Sequence, residues 1–243
     1  MTQIPKKLNK CPLVDVIFEI RFNPIVPPEV VFPMIYSRIS NDFGPIESLP
    51  VSQIPAQTRE SDPNLEFAPL FRLRSNANKN HIIQIGPKVV IWSSSPLYSG
   101  WDNFREYVTP LLKTVIQGGV LTTIIRTGFR AVNFFEDTDI FKNKLLVKIS
   151  LNDSEIRYNQ TTLRTELIKD EYHSTIQVMN EAQVNLPASR KAGSIIDIDT
   201  FNVSHASTSE DVINRLDIAH DIEKETFFSL IKADFLRTLE PEY

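Results

Sequence analysis

Val14, Val16, Phe18, Ile20 and Phe22 alternate with Asp15, Ile17, Glu19 and Arg21. A period of two commits this segment to a β-strand, because successive side chains of a strand point to opposite faces. One of its faces is strongly apolar, so the strand must belong to a sheet with other elements packed over it. Asn23-Pro24 and Pro27-Pro28 end the strand.

The rest of the first half follows from that start. Residues 28–43 predict a helix, with Pro28 suited to the first turn and Val31, Ile35, Ile39 and Phe43 at i+4 spacing. Pro33 argues against it and is tolerated only near a helix start. Gly44-Pro45 closes it, and five prolines over residues 45–69 predict an irregular or edge segment. Residues 70–75 and 81–92 predict two strands joined by the turn Asn76-Ala77-Asn78-Lys79-Asn80, with Gly86-Pro87 bending the second. Residues 101–117 predict a helix with Phe104, Val108, Leu111, Leu112 and Val115 on its apolar stripe, Pro110 at mid-helix and Gly118-Gly119 at its end. Residues 121–135 predict a long strand. The resulting order, β-α-β-β-α-β, matches a ferredoxin-like arrangement.

The second half predicts four strands, over residues 145–151, 163–170, 175–184 and 194–203. Asn152-Asp153-Ser154 and the stretch from Asn185 to Gly193 supply turns. A last helix begins at Thr208 or Ser209 with Glu210 and Asp211 in its first turn. It runs about 28 residues, long for a globular helix. Its stripe includes Val212, Leu216, Ala219, Glu223, Phe227 and Ile231. The expected class is α+β: a first half, residues 1–136, packed on a second half, residues 137–243, of antiparallel strands and one long helix. The halves form either two domains or one continuous one.

Composition enters by exclusion. The 243 residues carry 26 basic and 30 acidic side chains, a net charge of −4, which argues against a dedicated nucleic-acid binder. Seven glycines leave little for phosphate-cradling loops, and neither a Walker loop, a dinucleotide fingerprint nor a nucleophile elbow is found. The single cysteine, Cys11, excludes an internal disulfide framework and a cysteine-based zinc site. Cys11 reads as a small residue at a strand entrance rather than a nucleophile, since no base adjoins it in sequence. No apolar h-region follows the polar N-terminus, and nowhere do 18 apolar residues run together. The cytoplasm is the expected compartment, with no membrane, cofactor or metal.

Three groups of residues could carry chemistry. Asp197 and Asp199 share a strand face, and His220 and Glu223 stand at i and i+3 on the last helix. A helix packed over that face would gather them into a hard-metal or general acid/base site. The competing reading makes the aspartates a solvated strand face and His220 a half-buried helix residue. Arg21, Arg72, Arg74, Arg126 and Arg130 alternate with apolar residues and could form one polar platform with Glu19 and Gln84. Guanidinium groups so placed would take an anionic ligand or a protein partner. The alternative is an ordinary water-facing sheet, or a surface closed by internal salt bridges. Trp92 and Trp101 flank a polar loop that either lines a pocket or joins two core-anchored elements.

Several segments together resemble a known group: Cys11 to Phe22, Ile83-Gln84-Ile85-Gly86-Pro87 before Tyr98-Ser99-Gly100-Trp101, Gly128 to Asn133, Ile196 to Phe201, and Leu216 to His220 with Phe227. Over almost its whole length, and in order, the chain resembles a sporadically distributed bacterial family of uncharacterised cytosolic proteins of about this length. The resemblance implies a cytosolic prokaryotic accessory protein and brings no catalytic residues with it. The family's patchy occurrence implies mobile gene cargo, such as phage-defence or toxin–antitoxin loci.

The leading expectation is an interaction or regulatory protein acting on a protein partner, or as a homo-oligomer. The alternative is a small-ligand binder or metal-dependent hydrolase using the carboxylates and histidine of the second half. Single-stranded nucleic acid ranks last, because the aromatics alternate away from the arginines.

Overall fold

The computed structural model describes residues 3–136, 139–149, 152, 161–186 and 189–243. Its first half contains β1 (Lys7–Leu8), β2 (Leu13–Pro24), α1 (Pro28–Ile39), β3 (Glu47–Ser48), α2 (Ala56–Ser61), β4 (Phe71–Arg74), β5 (His81–Ile85), β6 (Val89–Ser94), α3 (Trp101–Gln117) and β7 (Leu121–Phe135). The second half contains α4 (Ile140–Asn143), β8 (Thr162–Lys169), β9 (Tyr172–Leu186), β10 (Ser189–Asn202), α5 (Ser209–Leu230), α6 (Ala233–Thr238) and β11 (Pro241–Glu242). The fold is α+β.

Nine strands form one antiparallel sheet in the order β3-β4-β5-β6-β2-β7-β10-β9-β8. The alternating strand β2 lies near its centre, with Val16, Phe18, Ile20 and Phe22 fully buried. The two halves of the chain meet inside this sheet, where β7 pairs with β10 from Thr127↔Asn202 to Phe135↔Ser194. α1, α3 and α5 all pack on one face. Their apolar stripes (Val31, Ile35 and Ile39; Phe104, Val108 and Leu112; Val212, Leu216 and Ala219) share one core with β2 and with Phe129 and Ala131 of β7. Phe18 stacks on Trp92 there at 5.4 Å. A second cluster lies under the C-terminal end of α5 and joins Phe135, Ile140, Ile176, Ile196, Ile198, Phe227 and Ile231. β1 and β11 form a separate two-stranded ribbon that ties the two ends of the chain together.

Several expectations are corrected. The strand expected over residues 81–92 is a hairpin, β5 and β6, turned at Pro87-Lys88. Gly86 permits the turn: a Cβ there would stand 2.5 Å from the carbonyl oxygen of Ala68. The first helix ends at Ile39, and a 3-10 turn over Ser40–Asp42 completes the predicted span. Leu145 makes only an isolated bridge, to Ile231, and no strand is found over residues 145–149; residues 150 and 151 lie outside the described residues. Of the turn Asn152-Asp153-Ser154, only Asn152 lies inside them, with φ 52°. Most of the turn expected from Asn185 to Gly193 is strand, with Asn185 opposite Arg190 and a bulge at Gly193. The last helix is capped by Thr208, whose side chain accepts from Asp211 N–H, and it stops at Leu230. Ile231 leaves the helix to bridge Leu145, and α6 is a separate short helix. The apolar period continues through this break because burial, rather than helix, is what it reports. Among the described residues no helix is long and apolar enough to cross a membrane.

Candidate functional site

Register sorts the charged residues of the sheet. Phe18 pairs with Phe129, and Ile198 with Ala131, on the helix-bearing face. Their neighbours Glu19, Arg130, Asp197 and Asp199 therefore point to the opposite face. The same reasoning places Arg21 and Arg126, which pair directly, on that face, and carries across β6 and β5 to Arg72 and Arg74. All five predicted arginines share one side of the sheet. They are not free there. Arg130 holds Asp197 in a two-point bond of 2.7 and 2.5 Å. Arg126 bridges Glu19 at 2.6 Å and Asp199 at 2.8 Å, and Arg21 reaches the same Glu19 oxygen at 2.7 Å. Arg72 and Arg74 both lean on Glu47. Arg21 and Arg126 also lie over the rings of Phe67 and Phe201. Five carboxylates (Asp15, Glu19, Glu47, Asp197, Asp199) thus stand among five guanidinium groups. Burial pushes the Asp15 carboxyl up to about 6 and raises Asp199, against the pull of Arg130 and Arg126 respectively. Around Arg126 and Arg130 this is the closed-by-salt-bridges alternative, and a bidentate anion there would have to displace an internal partner; Arg72 Nε and Asp15 Oδ1 are buried without a hydrogen-bond partner among the described residues.

The predicted group of Asp197, Asp199, His220 and Glu223 does not converge. The aspartates lie on one face of the sheet, while α5 brings His220 and Glu223 to the other. The reason is the apolar register of β10: Ile196 and Ile198 face α5, which turns the intervening aspartates away. Among the described residues no group of three or more His, Cys, Asp and Glu side chains is placed to hold a metal ion.

His220 and Glu223 instead wall a cavity of about 860 Å3. Its floor is β7, with Phe129, Ala131 and Asn133. One wall is the chain from Tyr98 into the first turn of α3, another is α5, and the β1–β11 ribbon closes an edge. Gly100, at φ 103°, turns the backbone into α3 and aims Trp101 across the cavity. Trp101 lies flat on the His220 ring, centroids 3.7 Å apart and planes 9° from parallel, and meets Phe129 edge-on. Arg105 fixes α3 against α5 through a two-point bond to Asp217, 2.7 and 2.8 Å.

Electrostatics in the cavity are those of neutral groups. Burial pushes the Glu223 carboxyl up to about 8, with Lys224 opposing, so it is protonated at neutral pH. Burial lowers His220 to about 4, with Asp221 opposing, so the imidazole is uncharged. Its Nδ1 lies 3.2 Å from an Asp221 carboxylate oxygen and acts as the donor, which leaves Nε2 as an acceptor. Glu223 is 7% exposed, and no group among the described residues hydrogen-bonds its carboxyl. Asn133 is buried too, its amide making one long bond of 3.5 Å to the Ile196 carbonyl oxygen. The Cys11 thiol is at the mouth, and burial raises its pKa, which holds it as the thiol.

Sequence reasoning found His220 and Glu223 but gave them the wrong companions. Of the two readings of the tryptophan-flanked loop, Trp101 and Tyr98 line the cavity while Trp92 is buried in the core. Asn133 was missed as a site residue. Asn133 carried a readable signal: it falls on the apolar side of its strand, in step with Phe129 and Ala131. Glu223 carried another, as the one acid on the apolar stripe of α5. The ribbon residues carried none, since their place depends on the two chain ends meeting.

No protein-family model matches the chain, and a search of the curated proteins finds no match.

Proposed function

We propose that this protein binds a small molecule in the cavity between β7, α3 and α5. One observation carries the reading. Glu223 places a buried carboxyl, with no hydrogen-bond partner among the described residues, in the wall of a cavity of ligand size. Desolvating such a group costs about 1–3 kcal/mol unless it finds a partner, and the cavity leaves the carboxyl one side from which a ligand can supply it. The walls combine aromatic surface from Trp101, Phe129 and Phe227 with buried polar groups at Asn133 and Glu223, a combination found in small-molecule sites. Nothing of comparable specificity among the described residues supports the protein-partner reading or a defence or toxin–antitoxin role. The metal-dependent hydrolase arm has lost its aspartates to the far face. We keep the bacterial, cytoplasmic setting that the family resemblance implies as part of the proposal.

The test is a fragment screen by NMR. The two tryptophans divide the labour: the Trp101 indole N–H reports the cavity and Trp92 reports the core. Binders that shift Trp101 and leave Trp92 unmoved, and that lose affinity in Glu223→Leu, are expected. A screen in which no fragment moves Trp101 would remove the reading.

The proposal extends to the architecture of the first half. The strand order β7-β2-β6-β5, antiparallel throughout, with α1 and α3 on one face, supports a ferredoxin-like unit. In this reading β3 and β4 are added at one edge and the second half at the other.

A further inference from the structure

Resting on the cavity as a ligand site, the geometry points to its ligand class: a flat, uncharged heterocycle with a hydrogen-bond donor beside an acceptor. Three side chains at the site define what a ligand must offer. Glu223 presents a donor and an acceptor on adjacent oxygens, the complement of an amidine-like or lactam-like ring edge. Asn133 and the His220 Nε2 add further polar positions, and neither carries a charge at neutral pH. Trp101 and Phe227 supply planar apolar surface.

Charge argues in the same direction. A cation at the floor would lie beside Lys224, whose charge acts on Glu223, and would enter past Lys6 and Lys7 of the ribbon. An anion at the floor would be desolvated against Phe129 and Ala131, and among the described lining residues the cation beside Glu223, Lys224, is only half-buried. Tyr98, whose pKa burial raises, stays a phenol, and Cys11 stays a thiol. Asp102 and Glu242 stand at the exposed rim, where Glu242 faces Lys7. Glu223 is therefore the group whose ionisation changes the hydrogen-bonding character of the floor between neutral and mildly alkaline pH.

The experiment is isothermal titration of the full chain with three probes of similar size: adenine (neutral), benzamidine (cationic) and benzoate (anionic). Adenine is expected to bind tightest and to weaken about tenfold between about pH 7 and about pH 9, as Glu223 loses its proton and ceases to donate. Glu223→Gln, whose amide retains a donor and an acceptor, is expected to abolish this pH dependence. Tighter binding of benzamidine, strengthening as pH rises, overturns the inference in favour of a cationic ligand. Tightest binding of benzoate overturns it in favour of an anion. Failure of all three, beside fragments that do shift Trp101, overturns the ligand class and leaves the cavity as a binding site. Failure of all three beside an empty fragment screen removes both.

Discussion

Two sets of ionisable side chains stand on the two faces of one sheet, and the fold treats them in opposite ways. On the arginine-bearing face, Glu19, Asp197 and Asp199 are each held by a guanidinium group at 2.5–2.8 Å. Those three carboxylates are satisfied from within the chain. On the helix-bearing face, Glu223 is more deeply buried, and among the described residues nothing hydrogen-bonds its carboxyl. The second is left incomplete where the chain could have used leucine. Buried charge that is paired serves the fold; a buried acid that is unpaired and faces a cavity points to a ligand.

The comparison can be broken by substitution. Arg126→Ala strands Asp199 and leaves Glu19 to Arg21 alone, and we expect a loss of about 3 kcal/mol or more in urea denaturation. A loss under half of that would mean the network is solvent-screened and the contrast between the faces is false. Asp197→Ala leaves Arg130 without its two-point partner. Because Arg130 is 45% exposed, the expected cost is smaller, about 1–3 kcal/mol.

The cavity side should respond with the opposite sign. Glu223→Leu is expected to raise stability at neutral pH by about 1–2 kcal/mol while abolishing ligand binding. A destabilised Glu223→Leu chain would show that the carboxyl is satisfied in solution.

The pH dependence sharpens this further. Between 4.5 and about 8 the folded state holds the Glu223 proton and the unfolded state does not, so stability falls as pH rises. His220 acts the other way, from about 4 to 6.5, and Asp15 is finished by about 6. From about pH 6.5 to about pH 8 the Glu223 contribution stands alone among these three, worth up to about 2 kcal/mol over the window. Stability of the wild-type chain should fall across that window, and Glu223→Gln should be flatter by that amount. Parallel curves for the two proteins would place the Glu223 pKa near its ordinary value.

The smallest effect is expected at the bracket between α3 and α5. Arg105→Ala removes a half-exposed pair and should cost at most about 1 kcal/mol of stability. Any weakening of adenine binding beyond that would show that the pair positions Trp101 against His220.

What the chain's own pattern determined is which residues share a face. Period two in β2 and β7, and the stripe on α5, follow from backbone geometry that is local to each element. They suffice to read an α+β fold with one buried sheet face, the alignment of five arginines, and an acid on an apolar stripe. What only the tertiary structure decided is how faces from distant segments meet. That β10 turns Ile196 and Ile198 toward α5 separates Asp197 and Asp199 from His220, and pairs them with Arg130 and Arg126. That the two chain ends meet in a ribbon closes one edge of the cavity. These outcomes depend on cross-strand register and helix docking, which are set by contacts between residues far apart in sequence, and no local period encodes them.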